Sequence, residues 1–185
     1  MDKQKTLKIQ FELSAEDFKY FRSQLERARD AHSDLKESEV VKGAVKLVKE
    51  VKRAATAKFI KTRIAQLEPL IAMLKDKQWR LEGEDRARVV GLLTYFIEPN
   101  DLIPDDAPAI GYLDDAIMVE LVTRELRAEL KAYADFCDFR DREGHDVDIP
   151  KLEETRESLQ RRMRRTGRAS RSAGKGSTHS PLSLF

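Results

Sequence analysis

Tyr95-Phe-Ile-Glu-Pro-Asn-Asp-Leu-Ile-Pro-Asp-Asp-Ala-Pro-Ala-Ile-Gly-Tyr-Leu-Asp-Asp115 is the stretch of this 185-residue chain that ordinary amphipathic helix does not explain. Between Val89 and Thr123 there are seven acidic side chains and no lysine or arginine, in a sequence that is 37% charged. The carboxylates of Asp101, Asp105, Asp106, Asp114 and Asp115 are interleaved with Leu102, Ile103, Ile110 and Leu113, apolar residues that favour burial. Two unit charges about 6 Å apart repel by roughly 0.7 kcal/mol in water and by about 3 kcal/mol at an effective dielectric near 20. The cluster therefore needs solvent, hydrogen-bond donors or a cation. Pro99 stops the helix before it, and Pro104, Pro108 and Gly111 punctuate it, so it reads as a structured corner between two helices.

Outward from this corner the pattern is helical. On the N-terminal side, Val89, Leu92, Leu93 and Phe96 form the inward face of a helix that begins near Glu84. On the C-terminal side a long helix is expected over about Leu113 to Arg140. It is apolar nearly all round at Ile117 to Val119, Leu121 and Val122, then one-sided through Leu126, Leu130, Tyr133 and Cys137. Its first half belongs at the domain centre.

Further upstream, Leu7, Ile9, Phe11 and Leu13 alternate with polar residues, the period-two signal of a half-buried strand. Ser14 and Asp17 then form a capping box, with Leu13 and Phe18 at the staple positions, for a helix over residues 15 to 30. A second helix is expected from Ser38, with Val41, Ala44, Val45, Val48 and Val51 on one face and Lys42, Lys46, Lys49 and Arg53 on another. The helical pattern resumes through Phe59, Ile60, Ile64 and Leu67, and Pro69 kinks it or begins the next helix. That helix carries Leu70, Ile71, Met73 and Leu74, and Trp79 and Leu81 follow before a turn at Glu82 to Glu84. Downstream, a turn near Gly144 precedes a short helix from Pro150 to about Met163, after which Ser, Gly and Arg predominate without periodicity.

The expected fold is thus mainly α: a compact multi-helix domain over residues 1–163 with one short N-terminal β-strand, and a disordered basic tail over 164–185. Charge divides the same way. Residues 161–185 hold seven basic side chains and no acid, which leaves 28 basic against 33 acidic before them. A polyanion partner, nucleic acid or anionic lipid bound nonspecifically, is suggested for the tail alone, through Arg161, Arg162, Arg164, Arg165, Arg168 and Arg171. The lone cysteine, Cys137, excludes an internal disulfide and any Cys-x-x-Cys motif, and suits a reducing cytoplasm. No apolar run has the length of a transmembrane helix or a signal-peptide core. Cytoplasmic residence is the default.

The run Tyr95-x-x-x-Pro99-x-Asp101-Leu102-Ile103-Pro104-Asp105-x-x-Pro108-x-x-Gly111-x-x-Asp114-Asp115 resembles the signature of the YkvA-like family, a bacterial domain of unknown function numbered 1232. Eleven fixed residue types at fixed spacing make the likeness specific. It covers about residues 84 to 123, with weaker likeness over about 70 to 140. The resemblance implies a small helical domain with no established activity, some of whose relatives look membrane-associated. Glu98 stands where the family usually has serine, and Asn100 where an apolar residue is common; both speak against a membrane-hugging loop.

The residues of the corner support two chemistries. In the structural one, Asp114 and Asp115 accept from free amides in a first helical turn, while Asp101 and Asp105 do the same for loop amides, and Pro99, Pro104, Pro108 and Gly111 fix the bend. In the other, Asp101, Asp105, Asp114 and Asp115 bind Mg2+ or Ca2+ through oxygen, as a metal-binding protein or metal-dependent hydrolase would. Neither an Asp-x-Asp-x-Asp-Gly loop nor an Asp-Asp-x-x-Asp motif is present. His32, His145 and His179 are scattered over turns and tail, and Cys137 lies on an apolar face with no positive neighbour apparent, so no catalytic residue is assigned. The strand-helix-helix order is loosely like a ribbon-helix-helix DNA binder with Lys8 and Gln10 in the groove, but Glu12 would face phosphates. The expectation is a non-catalytic cytoplasmic interaction or regulatory module with a protein partner, the strand offering homodimerisation by edge pairing. The alternatives are the metal protein and peripheral association with the inner membrane face.

Overall fold

The structure is a computed structural model that describes residues 12–31, 34–97, 103–107, 110–144 and 148–174. Eight α-helices are formed among them: α1 (Ala15–Ala31), α2 (Glu37–Arg53), α3 (Lys58–Ile64), α4 (Leu67–Lys75), α5 (Gly83–Leu93), α6 (Leu113–Glu125), α7 (Arg127–Glu143) and α8 (Ile149–Gly174), with a 3-10 turn at Thr94–Ile97 after α5. No strand is formed among the described residues. The strand expected over Leu7 to Leu13 lies outside them, except for Glu12 and Leu13, which have no regular structure.

Helix starts follow local chemistry. The Ser14 amide donates to Asp17 Oδ2 (2.7 Å) and the Asp17 amide to Ser14 Oγ (3.2 Å), the reciprocal box read from the sequence. Helix α2 begins one residue before Ser38, because the Glu39 carboxylate accepts from the Lys36 amide (3.0 Å) and so sets the start at Lys36. Pro69 sits in the first turn of α4, where its missing N–H costs nothing.

Helix α6 is the centre: every residue from Asp114 to Thr123 is buried. Ala116 to Val119, Leu121 and Val122 make it apolar nearly all round in its middle, and it packs against α3 and α7. Around it the core continues through Val40, Val51, Ile60, Leu67, Leu70, Met73, Trp79 and Phe136, each at most 1% exposed.

Two expectations are corrected. The single helix over Leu113 to Arg140 is two, broken at Leu126, whose backbone leaves the helical region (φ −97°, ψ 18°). The break is held from another helix: Arg88 Nη2 donates to the Glu125 carbonyl (2.9 Å), and Arg88 Nη1 donates to the buried carboxylate of Glu129. A tertiary guanidinium thus satisfies a backbone acceptor at the break, which no local breaker residue signals. The second correction concerns the tail, because α8 does not end near Met163 but continues to Gly174. Leu152, Gln160, Met163 and Gly167 are buried along one of its faces, which packs on α7. The Gln160 side chain donates to the Trp79 carbonyl (2.8 Å), and Arg164 Nε reaches Asp85 Oδ2 (2.7 Å). Too few of these residues are apolar to register as a hydrophobic stripe.

Candidate functional site

The corner between α5 and α6 is built from tight backbone contacts. The Ala107 amide donates to the Pro104 carbonyl (2.9 Å), the Gly111 amide to the Ala107 carbonyl (2.9 Å), and the Leu113 amide to the Ile110 carbonyl (3.1 Å). Gly111 is required by closeness: a Cβ there would stand 2.2 Å from the Asp105 carbonyl oxygen and 2.8 Å from its carbon. From α2's C-terminal side, the Thr56 hydroxyl donates to the Gly111 carbonyl (2.9 Å), tying the corner to the chain 55 residues earlier. Tyr112 then takes a left-handed backbone (φ 67°) as the residue capping α6.

The aspartates divide by environment. Asp114, 2% exposed, accepts from the Ile103 amide at Oδ2 (3.2 Å), so it closes the loop from the first turn of α6. Asp115, also buried, lies with Asp105 and Glu50 in the field of the Tyr112 phenol. Burial first, and then the charges of Asp105 and Glu50, push that phenol up to about 12, and it hydrogen-bonds the Asp105 side chain. Asp105 and Asp106 are otherwise at the surface, as is Pro104. Asp101, Pro99 and Pro108 lie outside the described residues, as do His32, His145 and His179. Among the described residues, no three His, Cys, Asp or Glu side chains are grouped as metal ligands. Of the four acids read as one cluster, Asp105 and Asp115 meet around Tyr112, while Asp114 points to a backbone amide. Tyr112 and Thr56 carry no sequence signal for these roles, since both depend on a distant contact.

A second polar knot joins α4 to α7. Asp76 Oδ1 accepts from the amides of Gln78 (2.8 Å) and Trp79 (3.1 Å), and Oδ2 accepts from the Tyr133 hydroxyl (3.1 Å) and Arg140 Nη1 (2.9 Å). Burial alone would raise the Asp76 carboxyl, but the two amides and the guanidinium outweigh it and hold it below the usual carboxylate range. Burial and the Asp76 charge push the Tyr133 phenol up. Arg140 Nη2 also stands 3.7 Å from Cys137 Sγ, so the thiol does have a positive neighbour, contrary to the sequence reading. Tyr133, Cys137 and Arg140 are brought together by spacings of four and three along α7, which the sequence contains but does not explain.

The tail arginines are displayed on α8. Arg161 faces Glu157 (3.9 Å), Arg162 pairs with Asp135, and Arg164 with Asp85, while Arg165 and Arg168 are exposed; Arg171 lies on the same helix. The Lys42, Lys46, Lys49 and Arg53 stripe of α2 forms one wall of a groove of about 1070 Å³ whose opposite wall is the segment from Leu74 to Glu82. No helix among the described residues is long and apolar enough to cross a membrane.

Residues 85–121 match a family model described as "Protein of unknown function (DUF1232)", the family that the corner's signature resembles. The matched interval runs from α5 through the corner into α6. No curated protein and no solved structure gives a match.

Proposed function

We propose that this chain is a non-catalytic interaction or regulatory module, cytoplasmic and acting through a protein partner, in which the acidic phrase is a rigid corner. The observation that carries this reading is the use of Asp114: its buried carboxylate accepts the Ile103 amide across the corner. A carboxylate that holds a loop amide gains about 1.5 to 3 kcal/mol from a charge-assisted bond. Its presence in the signature then has a structural reason. The backbone closure at Gly111 and the Tyr112–Asp105 bond support the same role.

The test is a melting curve of the purified protein in EDTA, Mg2+, Ca2+ and Mn2+, beside a variant carrying Asp114→Asn and Asp115→Asn. The expected result is a wild type indifferent to metal and a variant that melts several degrees lower. A metal-dependent rise of the wild-type midpoint that the variant loses would overturn the reading in favour of a divalent-cation site, since binding to the native state alone raises the midpoint by mass action.

A further inference from the structure

Most basic side chains near the centre of this molecule have acidic partners: Arg63 with Glu120, Arg86 with Glu37, Arg88 with Glu129, Arg140 with Asp76. The groove between α2 and the segment Leu74 to Glu82 departs from that rule. On one wall Lys42, Lys49 and Arg53 are exposed without an ion pair among the described residues, and on the other so are Lys75 and Lys77. Lys46 is paired only within its own helix, to Glu50 at 3.6 Å. Between the walls the floor is apolar: Val41, half-buried Val45, Leu74 and Leu81. Of the acids that also line the groove, Glu37, Glu50 and Asp76 are committed to Arg86, Lys46 and Arg140, which leaves Glu82 against five cations that disfavour one another until a further anion joins them.

From this rests an inference on the interaction-module reading: we infer that the groove receives an acidic amphipathic helix of a partner protein, its apolar face on Val45 and its carboxylates against the lysine walls. Size agrees. The α2 wall from Glu37 to Arg53 spans about 24 Å at 1.5 Å per residue, the length of about sixteen helical residues. A helix 10 to 12 Å across, sunk to half its depth over that length, displaces roughly 1000 Å³, against the 1070 Å³ of the groove. Spacing agrees too, because Lys42, Lys46, Lys49 and Arg53 recur along one edge of α2, the arrangement that meets carboxylates recurring at the same period on a parallel or antiparallel helix. A nucleic acid strand fits less well, since the lining contains no aromatic ring for bases to stack on. A bilayer surface cannot follow a concave groove. The chain's own basic N-terminal and C-terminal segments carry the wrong sign.

The experiment uses the full chain and a fluorescein-labelled 18-residue peptide with Leu at helical positions i, i+3, i+4 and i+7 and Glu elsewhere, read by anisotropy. Controls are a scrambled peptide of equal composition, a labelled thymidine oligonucleotide, and vesicles of phosphatidylcholine with phosphatidylglycerol. Expected is binding of the amphipathic peptide that Lys42→Glu with Lys49→Glu weakens at least tenfold, that Val45→Asn also weakens, and that a Leu/Lys peptide restores on the charge-reversed protein. Circular dichroism confirms that these surface variants fold. Equal binding of the scrambled peptide, indifference to the substitutions, or no binding at all would overturn the groove assignment. Stronger variant-sensitive binding of the oligonucleotide or the vesicles would overturn it in favour of those polyanions. None of these outcomes depends on metal, so the corner reading and the groove fail separately.

Discussion

Replacing Gly111 with alanine tests whether the corner is as tightly built as its contacts indicate. The added carbon would lie 2.2 Å from the Asp105 carbonyl oxygen, where ordinary contact begins at 3.4 Å. It is therefore about 1.2 Å too close. The obstructing atom is backbone, so no rotamer change relieves it, and a third contact, the Ala107 carbonyl oxygen at 3.1 Å, blocks movement the other way. Displacing the Pro104 to Ala107 turn strains two backbone hydrogen bonds of 2.9 Å. Overpacking costs about 1 to 3 kcal/mol and each weakened bond about 1 kcal/mol, so a loss of about 3 kcal/mol is expected. At roughly 2 to 4 °C per kcal/mol for a domain of this size, the midpoint should fall by about 6 to 12 °C. Gly91→Ala is the matched comparison. Its new carbon meets only the side chain of Arg29, at 3.2 Å, and that side chain is 60% exposed and can yield. Inside α5 alanine gains about 1 kcal/mol over glycine, so this variant should melt at or slightly above wild type. The sole tryptophan, Trp79, is fully buried against Tyr133 and Phe136 and reports unfolding in urea by fluorescence, alongside thermal circular dichroism. A Gly111→Ala midpoint within about 1 °C of wild type, or no lower than that of Gly91→Ala, would refute the reasoning.

Two other outcomes follow from the same geometry. Asp76→Asn removes the charge that holds Arg140 and should cost about 1 to 3 kcal/mol at pH 7. Because Asp76 titrates below its ordinary value when folded, its contribution is complete above about pH 4 and is lost as pH falls through the folded value. The gap between the two melting curves should then be constant from pH 8 to pH 5 and narrow as the pH falls below about 4; a gap independent of pH would contradict the assigned network. Truncation after Met163 removes the Arg164–Asp85 pair and the buried Gly167 contact. Total helical ellipticity should drop by the signal of about eleven residues, and the midpoint should fall; unchanged total ellipticity would contradict the extent of α8.

What the sequence made legible was whatever is encoded within a few residues. The Ser14–Asp17 box, the valine face of α2, the proline opening α4 and the all-round apolar α6 each depend on neighbours along one helix or cap, and each is present. What it concealed depends on contacts across the fold. The helix break at Leu126 is held by Arg88, some forty residues away, and contains neither glycine nor proline. The end of α8 was hidden because the helix is stabilised by glutamine, glycine and paired arginines, which a hydrophobicity pattern does not count. The corner was visible as an acidic, proline-punctuated phrase. Its division into a loop-closing Asp114 and a tyrosine-centred group was not, since Tyr112 draws on Glu50 from α2.

The family match and the groove fall on different parts of the molecule. The matched interval, residues 85–121, contributes α5, the corner and most of the buried helix α6. Among its described acids, Asp114 holds the Ile103 amide and Asp105 the Tyr112 phenol, and α6 is buried from Asp114 to Thr123. The groove is made by α2 and the segment Leu74 to Glu82, of which only Arg86 lies within the match, and Arg86 is spent on Glu37 and on the carbonyls of Leu74 and Leu81. Arg86 therefore acts as the joint: a family-segment residue that fixes the spacing between the two groove walls, holding α2 through Glu37 and the opposite wall through two carbonyls. Under the groove proposal, the matched segment provides the scaffold, and recognition falls to the residues around it, where Lys42, Lys49, Lys75 and Lys77 are exposed.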